Sequence, residues 1–174
     1  MKKVLFVIAP SGFRDEELFD AKSVLESKGI ATTVASIAKE TAVGKLGGKA
    51  EVQLALKDAK AGDFDAIAFV GGPGVETHRL YENKDVLALA KSFANAGKVV
   101  AAICVGPRIL AAAGVVSGKK ATAFPDAETM RMLEEAGASY SGRDVQADCK
   151  MVTANGPGAA KKFGEKIAEL LNRA

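Results

Sequence analysis

The chain of 174 residues contains no tryptophan, one histidine and two cysteines, and only 6% of it is aromatic. So few aromatics argue against a platform for stacking nucleic-acid bases. The single histidine, His78, stands without HxH or CxxC spacing anywhere in the chain, so no metal site is expected. Two cysteines make no disulfide framework, which points to a reducing, cytoplasmic setting. No apolar stretch approaches the ~20 residues needed to span a membrane. The apolar start, Met1 to Ala9, is short and runs into Arg14-Asp15-Glu16-Glu17 with no clear cleavage region, so it reads as a buried strand rather than a signal peptide. Net charge is +3, and the pairs Lys119-Lys120 and Lys161-Lys162 stand alone, so no nucleic-acid partner is implied. A Walker-type phosphate loop is missing, and Gly71-Gly72-Pro73-Gly74 lacks dinucleotide-fingerprint spacing, so no nucleotide cofactor is implied.

What is present is ordinary globular material, 48% hydrophobic and 26% charged, of a length that fits one domain spanning 1–174. Strand and helix signals alternate along it. Apolar runs at Lys3–Ala9, Ala31–Ile37, Asp65–Val70 and Val99–Ile103 predict core strands. Asp15 is expected to cap a helix to about Lys28, with Leu18, Ala21 and Leu25 on its apolar face and Gly29 as its stop. Asn83 is expected to cap the helix that carries Val86, Leu89 and Phe93. Further helices are expected over Val105–Ala113, about Asp126–Glu135 and about Ala159–Asn172. Val43–Leu54 suggests a short hairpin excursion, and Asp144–Ala147 with Met151–Ala154 suggests a strand pair turning at Asp148-Cys149-Lys150. Repeated β–α units with continuously apolar strands predict an α/β fold, a mostly parallel sheet with helices on both faces. Sites in such sheets gather at the carboxyl ends of the strands.

The strand Val99–Ile103 runs straight into Cys104-Val105-Gly106-Pro107, the pattern of a nucleophile elbow. Backbone N–H groups at the start of the following helix would favour the thiolate of Cys104. The plain alternative is a buried cysteine filling space. Glu17, in the first turn of its helix, either complements the helix dipole or touches the Cys104 sulfur, where a protonated carboxyl would lower the thiol's pKa and could move a proton on a bound substrate. Gly71 and Gly72 either end a strand or, with the N–H of Val105, form an oxyanion hole. Cys149 reads as an incidental surface thiol. His78 lies just after the glycine loop and is more readily a surface residue than a base.

Taken together, these segments resemble the DJ/PfpI family, which includes the parkinsonism-associated deglycase, glyoxalase III enzymes and PfpI-type intracellular cysteine peptidases. The resemblance covers nearly the whole chain. It rests on the elbow AAICVGP, the opening KVLFVIAPSGFRDEEL, the loop AIAFVGGPG, GKKATAFP after the elbow helix, and TANGPGAAKKFG before the last helix. It implies a flavodoxin-like (Rossmann-like) fold, a Cys104 nucleophile partnered by Glu17, an oxyanion-loop glycine at Gly72, and no cofactor. Glu76 falls where the peptidase branch places a glutamate that reaches a neighbouring subunit's site. Homodimers or larger homo-oligomers are expected on the same ground.

Two departures bear on activity. The peptidase branch has a histidine directly after the nucleophile, where this chain has Val105. The deglycase branch has one before the proline that here follows Phe124. Amide hydrolysis needs an acid for the leaving amine, so both gaps weigh against a peptidase. The expected activity is a cofactor-free conversion of small α-oxoaldehydes, or repair of early glycation adducts, through Cys104 and Glu17. A redox sensor built on an oxidisable Cys104 is one alternative. A peptidase completed across an oligomer by Glu76 and His78 is another.

Overall fold

The computed structural model describes residues 1–173. In chain order the strands are β1 (Lys3–Val7), β2 (Ser11–Phe13), β3 (Ala31–Ser36), β4 (Ala42–Gly44), β5 (Lys49–Ala50), β6 (Leu54–Ala55), β7 (Ala66–Phe69), β8 (Val99–Ile103), β9 (Lys120–Ala121), β10 (Ser139–Tyr140), β11 (Val145–Asp148) and β12 (Met151–Ala154). The helices are α1 (Asp15–Ser27), α2 (Gly74–Thr77), α3 (Lys84–Asn95), α4 (Pro107–Ala112), α5 (Ala127–Glu135) and α6 (Ala160–Asn172).

Seven strands form the central sheet in the order β11-β12-β8-β7-β1-β3-β6. Every pairing is parallel except that of β11 with β12, the expected hairpin. Strand alternation explains the two layers. Val4, Phe6 and Ile8 join a core beneath α1 and α6 that holds Leu18, Phe163 and Ile167. Leu5, Val7 and Ala9 face the other way, into a core beneath α3 and α4 that holds Phe93 and Leu110. Phe163 is fully buried, and truncating it to alanine would cost about 3–5 kcal/mol.

The capping expectations divide. Asn83 caps α3 as expected, its side chain accepting from the N–H groups of Asp85 and Val86. Asp126 caps α5 through the N–H of Thr129. Asp15 does not cap α1: Arg14 is the N-cap residue and makes no side-chain cap bond. The Asp15 carboxylate instead accepts from the N–H groups of Leu46 (2.8 Å) and Gly48 (2.7 Å), tying the hairpin of β4 and β5 to the start of the helix. β2 pairs in parallel with β4, so the segment leaving β1 and this hairpin form a small separate sheet. The elbow helix begins at Pro107 rather than Val105, because Cys104 to Gly106 form a turn whose Gly106 N–H bonds to the Ile103 carbonyl at 2.9 Å.

Candidate active site at the elbow

The sheet order sets β8, β7 and β1 side by side, so the loops leaving their carboxyl ends converge. Those loops carry Cys104, Gly71-Gly72 and the segment leading into Glu17. Cys104 has φ of 62°, the left-handed region that a non-glycine residue adopts only under constraint. Its N–H donates to the Ala154 carbonyl at 2.9 Å, and its carbonyl accepts from the Phe124 N–H at 2.9 Å, so neighbouring loops hold the turn on both sides.

Glu17 is fully buried. Its Oε2 accepts from the Gly71 N–H at 2.8 Å, while Oε1 has no hydrogen-bond partner among the described residues. Burial raises the carboxyl from its ordinary 4.5 to about 7, against the pull of the Gly71 N–H, and Cys104 and Glu17 each act on the other's titration. Gly71 separates the two groups so closely that a Cβ there would lie 2.7 Å from the Cys104 Cβ and 2.8 Å from Glu17 Oε2.

The thiol departs from the sequence expectation. The N–H groups of Val105 and Gly72 do face the sulfur and pull its pKa down. Burial and the Glu17 charge outweigh them and push Cys104 up to about 12. Above about 7 the pair therefore holds a single proton, on the sulfur, and below it the carboxyl is protonated as well. Gly71 is also corrected as an oxyanion donor, because its N–H is already committed to Glu17. Gly72 and Val105 keep their N–H donors directed at the sulfur.

A cavity of about 280 Å³ opens over Cys104, lined by Arg14, Lys45, Glu76, Val105, Arg108 and Phe124 among others. Phe124 occupies the rim where the deglycase-like pattern would set an imidazole. Glu76 lines the cavity, with Oε2 accepting from Arg108 Nη1 at 2.7 Å and from the Tyr81 hydroxyl at 2.8 Å. His78 is not among the lining residues, and its Nε2 lies 2.8 Å from the Ser11 hydroxyl oxygen. Cys149 is exposed at the β11–β12 turn, as expected. No group of three or more metal-ligating side chains occurs among the described residues.

Two residues that sequence reading missed organise the rim. Arg108 is nearly buried, and it donates to Thr129 Oγ1 at 2.8 Å, Glu76 Oε2 at 2.7 Å and Asp126 Oδ1 at 2.9 Å. It joins α2, α4 and α5. Arg14 makes a two-bond pair with Glu16 at 2.8 and 3.1 Å. Proline at the first position of a short helix marked where Arg108 would sit, but not which carboxylates it would meet.

The DJ-1/PfpI family model matches residues 2–170. An uncharacterized protein of Methanocaldococcus jannaschii is 43% identical over 171 residues, 98% of this chain and 83% of that protein. A deglycase of Thermococcus kodakarensis is 34% identical, with 97% of this chain and 99% of that protein covered. The crystal structure of a ThiJ/PfpI domain protein from Brachyspira murdochii superposes with a TM-score of 0.94 at 34% identity, covering 99% of this chain and 97% of that one. With the family model matched over nearly the whole chain and the fold shared, the chain belongs to the DJ-1/PfpI family.

Proposed function

We propose that the protein is a cysteine-dependent, cofactor-free enzyme acting on small α-oxoaldehydes, with early glycation adducts as a variant substrate. The observation that carries this reading is the Glu17–Cys104 pair: a buried carboxyl raised to about 7, with one free oxygen, beside a half-buried thiol at an elbow. The deglycase name of the Thermococcus relative supports the same class of substrate.

The chemistry needs only these groups. As the sulfur adds to the aldehyde carbon of methylglyoxal, the thiol proton passes to Glu17. The N–H groups of Gly72 and Val105 then hold the new oxyanion. Protonation of that oxygen completes a hemithioacetal and returns Glu17 to its carboxylate. Glu17 next takes the C–H proton from this carbon and delivers it to the adjacent carbon, converting the hemithioacetal to a lactoyl thioester. Water cleaves the thioester, giving lactate and the free thiol, so the sum is methylglyoxal plus water to lactate plus a proton. A carboxyl titrating near neutrality suits both the taking and the giving of that proton.

Two other readings fare worse on the same geometry. A redox sensor needs an exposed low-pKa thiolate, and Cys104 is pushed the other way. A peptidase needs an acid for the leaving amine, and the imidazole of His78 is engaged with Ser11 outside the cavity.

Lactate formation from methylglyoxal, measured with chelator present beside Cys104→Ser and Glu17→Gln, tests the reading. Turnover by the wild type and a loss of ~10²-fold or more in each variant is expected. No turnover by the wild type, or full activity in either variant, would overturn it.

A further inference from the structure

The charged groups around the cavity are not equally occupied. Arg14, Lys45 and Arg108 line it, and Glu76 is the one carboxylate among the lining residues. Arg14 is held by Glu16, and Arg108 by Glu76, Asp126 and Thr129. Lys45 alone forms no ion pair among the described residues, although it lies near enough to Glu16 to lower that carboxyl's pKa.

The backbone that presents Lys45 is fixed. The Lys45 N–H donates to the Phe13 carbonyl at 2.8 Å. The next residue's N–H and that of Gly48 end on the buried Asp15 carboxylate. Gly44 and Gly48 let the loop close on that carboxylate, since a Cβ at either would stand 2.4 Å from Asp15 Oδ1. Asp15 is two residues from Glu17, so the same helix turn positions the carboxyl of the reacting pair and the loop that carries the unpaired ammonium.

Resting on the reading of Cys104 as an accessible nucleophile, we propose that Lys45 is a specificity-determining residue. It receives an anionic group, carboxylate or phosphate, on the carbon chain of an α-oxoaldehyde whose aldehyde end reacts at Cys104. The preferred substrate is then an anionic oxoaldehyde rather than neutral methylglyoxal. A single exposed cation gives a modest, salt-sensitive preference.

The test reads charge preference at the sulfur without requiring turnover. Cys104 is alkylated with iodoacetate and with iodoacetamide, and the labelled peptide is followed by mass spectrometry. The iodoacetate-to-iodoacetamide rate ratio at Cys104 is expected to fall about threefold to fivefold in Lys45→Met, to be kept in Lys45→Arg, and to lose most of that difference in high salt. In parallel, Lys45→Met is expected to raise KM for dioxopentanoate, an α-oxoaldehyde with a terminal carboxylate, with little effect on its kcat. An unchanged ratio in Lys45→Met, or an equal loss in Lys45→Arg, overturns the role of Lys45 whether or not methylglyoxal is turned over. A changed ratio in a protein that turns over neither aldehyde upholds the anion preference and overturns the proposed activity. Failure of both reagents to reach Cys104 overturns the two together.

Discussion

Glu17 and Cys104 meet across the bare backbone of Gly71, whose N–H holds the carboxyl and whose missing side chain leaves room for the sulfur. The position admits no Cβ without moving one member of the pair. The same Cβ would stand 2.7 Å from the Ile103 carbonyl oxygen, so Gly71→Ala is expected to lose some stability and to lose methylglyoxal turnover by ~10²-fold or more. Wild-type turnover in a folded Gly71→Ala protein would show that the close approach is not needed.

A buried acid whose pKa is raised makes stability depend on pH. Between about 4.5 and about 7 the folded chain holds a proton on Glu17 that the unfolded chain releases. That contribution is full below the unfolded pKa and is lost as pH rises through about 7. A shift from 4.5 to about 7 corresponds to about 3 kcal/mol. Glu17→Gln is thus expected to be more stable than the wild type above pH ~8 by up to ~3 kcal/mol, with little difference near pH ~4. Urea unfolding at the two pH values checks this, and equal midpoints for both proteins at the higher pH would refute it.

The same ionisation should govern rate. Glu17 must be a carboxylate to take the thiol proton, so kcat/KM for methylglyoxal is expected to rise with pH through about 7. A profile flat across this range would mean that some other group moves the proton.

Arg108 ties three helices with bonds to Thr129, Glu76 and Asp126. Arg108→Ala is expected to lower stability by ~2 kcal/mol, below the value for a wholly buried pair because the Glu76 side chain is 57% exposed. Loss of the clamp should also loosen the rim, seen as faster amide exchange at the start of α5. Unchanged stability and unchanged exchange would remove Arg108 from the architecture of the site.

Asp15→Asn replaces two carboxylate acceptors with one amide oxygen, leaving one of the Leu46 and Gly48 N–H groups unpaired. A loss of ~1–3 kcal/mol is expected, with faster proteolysis between Lys45 and Gly47. Resistance to proteolysis equal to that of the wild type would mean that the hairpin is held by its own turn.

The layout of the fold was legible because its signals are local. Short continuous apolar runs such as Ala66–Phe69 and Val99–Ile103 read as strands buried on both faces, and Asn83 precedes its helix as a cap does. Cys104 was legible as a residue between such a strand and a helix. Burial and partner choice are not local. Glu17 carries the same first-turn pattern as Asp15 and Glu16, yet one carboxyl goes to Gly71, one to the hairpin and one to Arg14. The direction of the thiol's pKa depends on how deeply the sulfur is set beside Glu17, and no spacing along the chain encodes that depth. Nothing near Arg108 in the chain marks it as a clamp, because the carboxylates it meets lie on α2 and at the start of α5.

The left-handed backbone of Cys104 has a consequence for drift. At φ of 62° a glycine would sit without strain, whereas a side chain there costs ~1 kcal/mol or more. Replacement of Cys104 by glycine is therefore a downhill step for the backbone. Set against that gain is the packing of the Cys104 side chain on the core beneath α1 and α6, which a glycine would give up. The turn holds a side chain at the expense of backbone ease.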